Sequence, residues 1–451
     1  MKFWQMLVVL VTLGGAMPTT AQDTPAVMDG FPPSTESQVT KKNHRDWPYS
    51  QWAFQNFGAP NNTVMVPRGG EIHHLPRDES RLDQFTVDGA SLGDVFAANA
   101  ADALVVIHGD TLVHESYWNG MDAHRQHIWY SMTKSLVSSI AGILVESGQL
   151  DLTKSPSEYV PELKGSAFDR VTVQNVMDHA SGLAFEENYV DPKSDFSLYY
   201  APALNLGYLP GAADLQPGQT EIYGVYDFLT HFVQPDPETP PGMRFDYNSA
   251  NADVLGWMVS RLMDRPLNDI IRDEVWQKIG AEHDAFIAVD RAYIPVATGG
   301  FNATARDAAR YGMMIRDTGV FRGERVLPAD WLEHMVDVKD SDRNAMNLNP
   351  NYSQADWIAY QDMWWILDEI TEEFCAVGIH GQVIYINRST DTVMVWFSSQ
   401  RDAASTLAPE FPVKLNAARA AANYLAEQKA MAAGTPVWSS RFAFIMASVG
   451  F

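Results

Sequence analysis

The sequence predicts an α+β fold, with an antiparallel sheet flanked by terminal helices and a helical lobe inserted between its strands. Three observations predict it. Paired strand patterns fall near residues 103–117 and again near 383–398. Between them the periodic segments are helical. Helical patterns also lie outside both strand pairs. The first and last thirds thus build the sheet, and the lobe is the middle, roughly residues 150–295.

Residues 1–21 read as a signal peptide, with Lys2, an apolar run from Met6 to Val11, and Thr19-Thr20-Ala21 at the cut. The run is too short to span a bilayer. An exported protein, periplasmic or secreted, is expected to begin near Gln22. Residues 22–90 form an N-terminal arm, irregular at first and rich in Pro, Ser, Thr and Asn. Trp47, Tyr49, Trp52 and Phe54 would lay it on the domain. A helix follows over 91–99, capped by Ser91 with Asp94.

Residues 103–108 and 111–117 are apolar strands joined at Gly109-Asp110, a hairpin signal. A buried helix follows over 135–146 and stops at Gly148. Its small residues Ser138, Ser139, Ala141 and Gly142 suit tight interior packing. Short helical signals at 171–179 and an aromatic stretch (Phe185, Tyr189, Phe196, Tyr199, Tyr200, Tyr208) lead to amphipathic helices at 251–264 and 303–317. A second hairpin, 383–388 with 392–398, turns at Ser389-Thr390-Asp391. A last helix covers about 412–430. The main domain is therefore 91–430, and 431–451 form a tail.

The chain has 451 residues, is 46% hydrophobic, and carries a formal net charge of −24. That acidity argues against nucleic acid or an anionic membrane as partner. Neither apolar end can hold a stable membrane span. The one cysteine, Cys375, rules out an internal disulfide and a thiolate metal site. Adjacent His73 and His74 cannot share one face, and no His-Glu-x-x-His occurs. No metal or other cofactor is expected.

The chemistry centres on Tyr130-Ser131-Met132-Thr133-Lys134. Three residues apart at a helix start, Ser131 and Lys134 share a face. Unpaired N–H groups and the positive helix end suit an oxyanion. A buried lysine loses its proton readily and can activate a hydroxyl. Read alone, Ser131 fits a plain N-cap equally well. Two further stretches join it: the turn Pro241–Gly242 leading to Tyr247, and Gly378-Ile379-His380-Gly381-Gln382 at a strand entrance, where glycine allows close backbone approach. A rival nucleophile is Ser91 in Gly89-Ala90-Ser91-Leu92-Gly93, which fits a Gly-x-Ser-x-Gly elbow. That elbow needs a parallel βαβ context, and none is visible.

Ser131-x-x-Lys134, then Tyr247, then a glycine-containing strand entrance resembles the serine β-lactamase and penicillin-binding superfamily. The nearer likeness is to its esterase and amidase branch, which includes class C β-lactamase-like esterases and aminohexanoate-dimer hydrolases. Asp178–Leu183 adds to it. The resemblance spans roughly residues 90–430 and implies a β-lactamase-like fold. It implies that a small amide or ester is cleaved through an acyl-serine, without cofactor. Ser131 would attack, Lys134 and Tyr247 would manage the proton, and the backbone of Ser131 and Gln382 would hold the oxyanion. Tyr189, Asn302, His380 and Gly381 would contact substrate.

Two departures separate the chain from β-lactam-processing members. Ile379-His380-Gly381 stands where they carry Lys-Thr-Gly, and Tyr247-Asn248-Ser249 replaces Tyr-x-Asn. Both disfavour a β-lactamase or a D-Ala-D-Ala peptidase. The intact serine, lysine and tyrosine disfavour a silent binding protein. Neutral substrates are expected to be preferred to penicillins, with His380 becoming a carboxylate partner only as it gains a proton near pH ~6.5.

Overall fold

The computed structural model describes residues 26–434, apart from 186, 190, 192, 206–221, 354–355 and 405–407. The signal segment, Tyr208 and the tail beyond residue 434 lie outside the described residues.

The elements that frame the site are, in chain order, β1 (Thr63–Val66), α1 (Leu92–Ala98), β2 (Ala101–His108), β3 (Thr111–Tyr117), β4 (His127–Ile128) and α2 (Met132–Glu146). Then come α3 (Val173–Met177), α4 (Ala250–Met263), β5 (Ala285–Ala288), β6 (Phe301–Ala303) and α5 (Ala305–Arg316). The last are β7 (Ala359–Gln361), β8 (Trp364–Asp368), β9 (Glu373–Gly378), β10 (Gln382–Asn387), β11 (Thr392–Ser398) and α6 (Glu410–Ala432).

The main sheet has seven antiparallel strands in the order β7-β8-β9-β10-β11-β2-β3. The two expected hairpins form, and β11 pairs directly with β2, Val395 opposite Val105. The sheet therefore closes the first and last thirds of the chain on each other. Strand β2 is buried throughout, because α5 packs on one face and α1 on the other. Helix α5 comes close through Gly312, where a Cβ would lie 2.6 Å from Cγ1 of Val393.

Three strands, β7, β8 and β9, were not expected. They are short and nearly wholly buried, so they show no polar alternation. A second sheet, in the order β1-β5-β6-β4, was not expected either. It ties the arm, the end of the lobe and the run before Ser131 together.

Helix α2 is the central element. The small residues serve the packing foreseen for them: a Cβ on Gly142 would lie 2.0 Å from Cδ1 of Trp331. Ser135 Oγ donates to Met363 O (2.7 Å), and Ser138 Oγ to Asp362 O (2.6 Å). These bonds fix α2 against the loop between β7 and β8.

Candidate active site

Ser131 sits at a sharp turn between β4 and α2. Tyr130 before it is left-handed (φ 47°), a costly conformation for a residue with a Cβ. Packing holds it there: its ring meets Phe54 at 5.2 Å and His380 at 5.8 Å. Trp129 N–H donates to Phe301 O (2.8 Å) and anchors the turn to β6. Ser131 makes no side-chain capping bond. Its Oγ instead accepts a hydrogen bond from Lys134 Nζ at 2.8 Å. Of the two readings open for Ser131, the N-cap is the one the geometry removes.

Lys134 is buried. Its Nζ also donates to Thr298 O (2.8 Å) and lies 5.1 Å from the centre of the Tyr247 ring. Burial lowers its pKa to about 8, against the opposing pull of Glu187 and Asp253. About a tenth of the molecules then carry a neutral amine at pH 7. Tyr247 hydrogen-bonds Ser131, but burial, with Glu187 second, pushes its phenol well above 10. Lys134 is thus the group able to take a proton near neutrality, and Tyr247 stays a phenol.

The Tyr247 loop is fixed from beneath by residues 178–183. Asp246 N–H donates to His179 O (2.9 Å), Gly242 N–H to Ala180 O (2.7 Å), and Asn248 N–H to His179 Nδ1 (3.1 Å). The ring stacks on Trp365 at 5.7 Å and 16°. Glu187 holds the other side, accepting from Ser249 Oγ (2.7 Å), Ser249 N–H (2.5 Å) and the Tyr189 hydroxyl. Asp253 lies behind Lys134. It accepts from Tyr200 Oη (2.5 Å) and Thr298 N–H (3.1 Å), and burial raises it to about 7.

The strand motif is arranged differently from expectation. Strand β9 ends at Gly378, and Ile379–Gly381 form the turn into β10. A Cβ on Gly378 would lie 2.2 Å from Trp129 O and 3.2 Å from Ser131 N, so only glycine fits. Ile379 lines the pocket that contains Ser131. Among the described residues, neither the Ser131 N–H nor the Ile379 N–H has a protein acceptor. Gln382 was expected to supply the second oxyanion donor. It is instead the first residue of β10, paired with Gly378, and its side chain binds Ile379 O and Ser398. Gln382 is buried and is not among the residues lining the pocket, because the turn Ile379–Gly381 separates it from the end of β9.

The other expected contacts divide. Tyr189 lines the pocket. Asn302 does not: it is buried in β6, with Nδ2 donating to Gly300 O (2.8 Å). The helix that follows, α5, is capped by Thr304, whose Oγ1 accepts from Asp307 N–H. His380 is buried behind the turn, its Nδ1 2.7 Å from Gln400 O and its ring 5.0 Å from Phe54. Burial drives its pKa to about 3, so no protonation near pH 6.5 follows. Gly381 (φ 91°) backs onto the Gln400 side chain rather than the pocket. Ser91 caps α1, accepting from Asp94 N–H (3.1 Å) on an exposed surface, so the elbow reading falls.

Glu187, Thr298, Asp253 and Arg45 were not foreseen as site residues. Glu187, Thr298 and Arg45 line the pocket. Asp253 stood in plain view one turn into an amphipathic helix, and a lone acid on a buried face was the available signal. Among the described residues, His124, Glu282 and His283 are the one group close enough to share a metal ion. Glu282 already faces Arg306 and Arg310, which opposes a cation there.

The model of the Beta-lactamase family matches residues 94–419. The 6-aminohexanoate-dimer hydrolase of Paenarthrobacter ureafaciens is 31% identical over 373 residues, covering 82% of this chain and 91% of that protein. A solved structure assigned as a 6-aminohexanoate-dimer hydrolase from Bacillus anthracis superposes with a TM-score of 0.75 at 26% identity. It covers 90% of this chain and 99% of its own. A D-stereospecific amidohydrolase from a Streptomyces species shares the fold, with a TM-score of 0.52 at 14% identity over 76% of this chain and 98% of its own.

Proposed function

From its membership of the Beta-lactamase family, to which this chain belongs as a hydrolase of amidase and esterase type, we propose that it cleaves short linear amides or esters through an acyl-serine intermediate. The observation that carries the reading is the 2.8 Å bond between Lys134 Nζ and Ser131 Oγ, made by an amine whose pKa is about 8.

The proposed steps use the groups placed around Ser131. Neutral Lys134 takes the Ser131 proton as Oγ attacks the carbonyl carbon. The Ser131 and Ile379 N–H groups receive the oxyanion, each contributing on the order of 3 kcal/mol in a dry site. The proton then passes from the Lys134 ammonium, with the Tyr247 hydroxyl beside Ser131 Oγ, to the leaving amine or alcohol. Water repeats the sequence in reverse and frees the acid. Glu187 and Asp253 offset the ammonium while it exists. Short substrates are favoured because the Paenarthrobacter ureafaciens relative is named for a 6-aminohexanoate dimer and because aromatic side chains wall the pocket.

Steady-state hydrolysis of a short aryl ester and a matched anilide tests the reading. Ser131→Ala is expected to fall to the uncatalysed rate, and Lys134→Met to lose roughly 10²–10⁴-fold in kcat. Full activity in either variant contradicts it. We also propose export, with maturation near Gln22. N-terminal sequencing of envelope or secreted protein should then begin there, and a retained Met1 contradicts it. Among the described residues no helix is long and apolar enough to cross a membrane.

A further inference from the structure

Two histidines meet near the surface where two loops enter the second sheet. His124 lies between β3 and β4, and His283 stands just before β5. His124 Nδ1 is 2.9 Å from His283 Nε2, and the rings meet edge to face at 5.1 Å and 84°. Glu282 adds a carboxylate. One ring nitrogen of each histidine and one Glu282 oxygen all lie within 4.8 Å of one another. None of the three lines the pocket around Ser131. The histidines are far apart in the sequence, so no ligand motif announced them.

The backbone of both loops is pinned. Asp122 Oδ1 accepts from the N–H groups of His124 (2.8 Å) and Arg125 (3.0 Å). Asp307 accepts from Glu282 N–H (2.7 Å) and His283 N–H (3.0 Å), and Trp276 Nε1 donates to His283 O (3.1 Å). Gln126 Nε2 donates to Asp284 O (3.0 Å) and ties one loop to the other. Little backbone has to be ordered to bring the three side chains onto one ion, which lowers the entropic cost of binding it.

Donor chemistry decides which ion. Arg306 and Arg310 face Glu282 at 3.4 and 3.3 Å, but their shorter bonds go elsewhere. Arg306 holds Glu115 (2.7 and 2.8 Å), and Arg310 holds Asp307 (2.8 Å) and His73 O (2.7 Å). Their charge opposes magnesium or calcium, which depend on oxygen ligands and charge. Neutral imidazole instead binds zinc through a nitrogen lone pair. Two such nitrogens and one carboxylate oxygen make a zinc donor set with a fourth position for water. Zinc bonds of about 2.0–2.1 Å space tetrahedral ligands about 3.4 Å apart. The histidine pair has to open by about 0.5 Å to reach that spacing, and His124 is exposed and able to turn.

We propose that His124, His283 and Glu282 bind one zinc ion, which clamps the loop before β4 to the loop before β5. The ring that donates in the 2.9 Å contact takes its other tautomer, so that both facing nitrogens offer lone pairs. The clamp bears on the scaffold rather than on hydrolysis: β4 leads directly into the Ser131 turn, and β6 lies between β4 and β5.

Isothermal titration of the untagged protein with zinc chloride, and thermal unfolding with and without zinc, test it. One ion per chain should bind, and the thermal midpoint should rise about 3 °C at about a hundredfold excess over Kd. His124→Ala and His283→Ala should each weaken binding at least roughly tenfold, and Glu282→Gln should weaken it less. No saturable zinc binding by the wild type overturns the proposal. So does a site whose affinity stays within about threefold of wild type in both histidine variants. Calcium that competes with zinc at equal concentration overturns the assignment of the ion. If neither histidine variant folds, the wild type decides alone. Cobalt bound at one ion per chain should then show the intense visible bands of a tetrahedral site, and their absence overturns the proposal.

Discussion

Asp253→Asn isolates the charge balance behind Lys134. Asp253 reaches the lysine through one residue: its carboxylate accepts from Thr298 N–H, and Thr298 O accepts from Lys134 Nζ. Asparagine is isosteric, keeps an acceptor for Thr298 and can donate to Tyr200. Only the charge is lost. A unit charge about 6 Å away at an effective dielectric of ~20 contributes about 2.8 kcal/mol, or about two pKa units. Asp253 is itself held near 7, so it is partly protonated over the lower half of the Lys134 titration. A shift of one to two units is the expected range. The sign follows from the charge. Asp253 favours the ammonium, so removing it lowers the Lys134 pKa from about 8.

The assay is kcat/KM on a neutral aryl ester from pH 5.5 to 10. The wild-type acid limb should have an apparent pKa near 8, and the variant's should lie lower. With a one-unit shift, the variant at pH 6.5 runs at about eightfold more of its own plateau than the wild type does. The plateau itself should fall, since a weaker base transfers the proton less readily. A limb that stays at 8, or moves up, refutes the reasoning. So does a uniform loss of rate with no change of profile, which would mark Asp253 as merely structural.

Two further predictions test the scaffold. Gly378→Ala forces a methyl against Trp129 O and Ser131 N, so kcat should fall at least tenfold while the thermal midpoint drops only slightly; unchanged kcat contradicts the close approach. Lys414 is buried in α6, donates to Ser398 Oγ (2.8 Å), and has its pKa lowered by burial to about 7. The unfolded chain therefore binds the extra proton between pH ~7 and ~10.4, and folding stability rises with pH across that window. The thermal midpoint of wild type relative to Lys414→Met should increase from pH 7 to 9, and a falling difference contradicts the assignment.

What the sequence made legible follows chemical need. Ser131 and Lys134 stand one helical turn apart, and that spacing survives folding because α2 is rigid. Tyr247 was legible because a Pro-Gly turn and a helix start fix its place. The outer hairpins announced themselves through Gly109-Asp110 and Ser389-Thr390-Asp391. Strand β9 did not: it is buried along its length, so neither its period nor its end was visible. Reading Ile379-His380-Gly381 as the strand motif put the expected oxyanion donor at Gln382, whereas the donor proposed here, Ile379, directly follows Gly378 at the end of β9. The same error made His380 look like a rim residue when it lies beneath the turn. Asn302 is buried within β6, where its amide bonds Gly300 O, and a three-residue strand leaves no alternation to reveal that. Arg45 left no local signal, since an arm without periodicity does not reveal what it packs against.

The central claim is that Ser131 becomes covalently acylated. Intact mass after a fluorophosphonate probe, followed by peptide mapping, tests it most directly. One adduct per chain, carried by the peptide containing Ser131 and absent from Ser131→Ala, is the predicted result. An adduct on another serine, or none on a protein that hydrolyses esters at full rate, contradicts it.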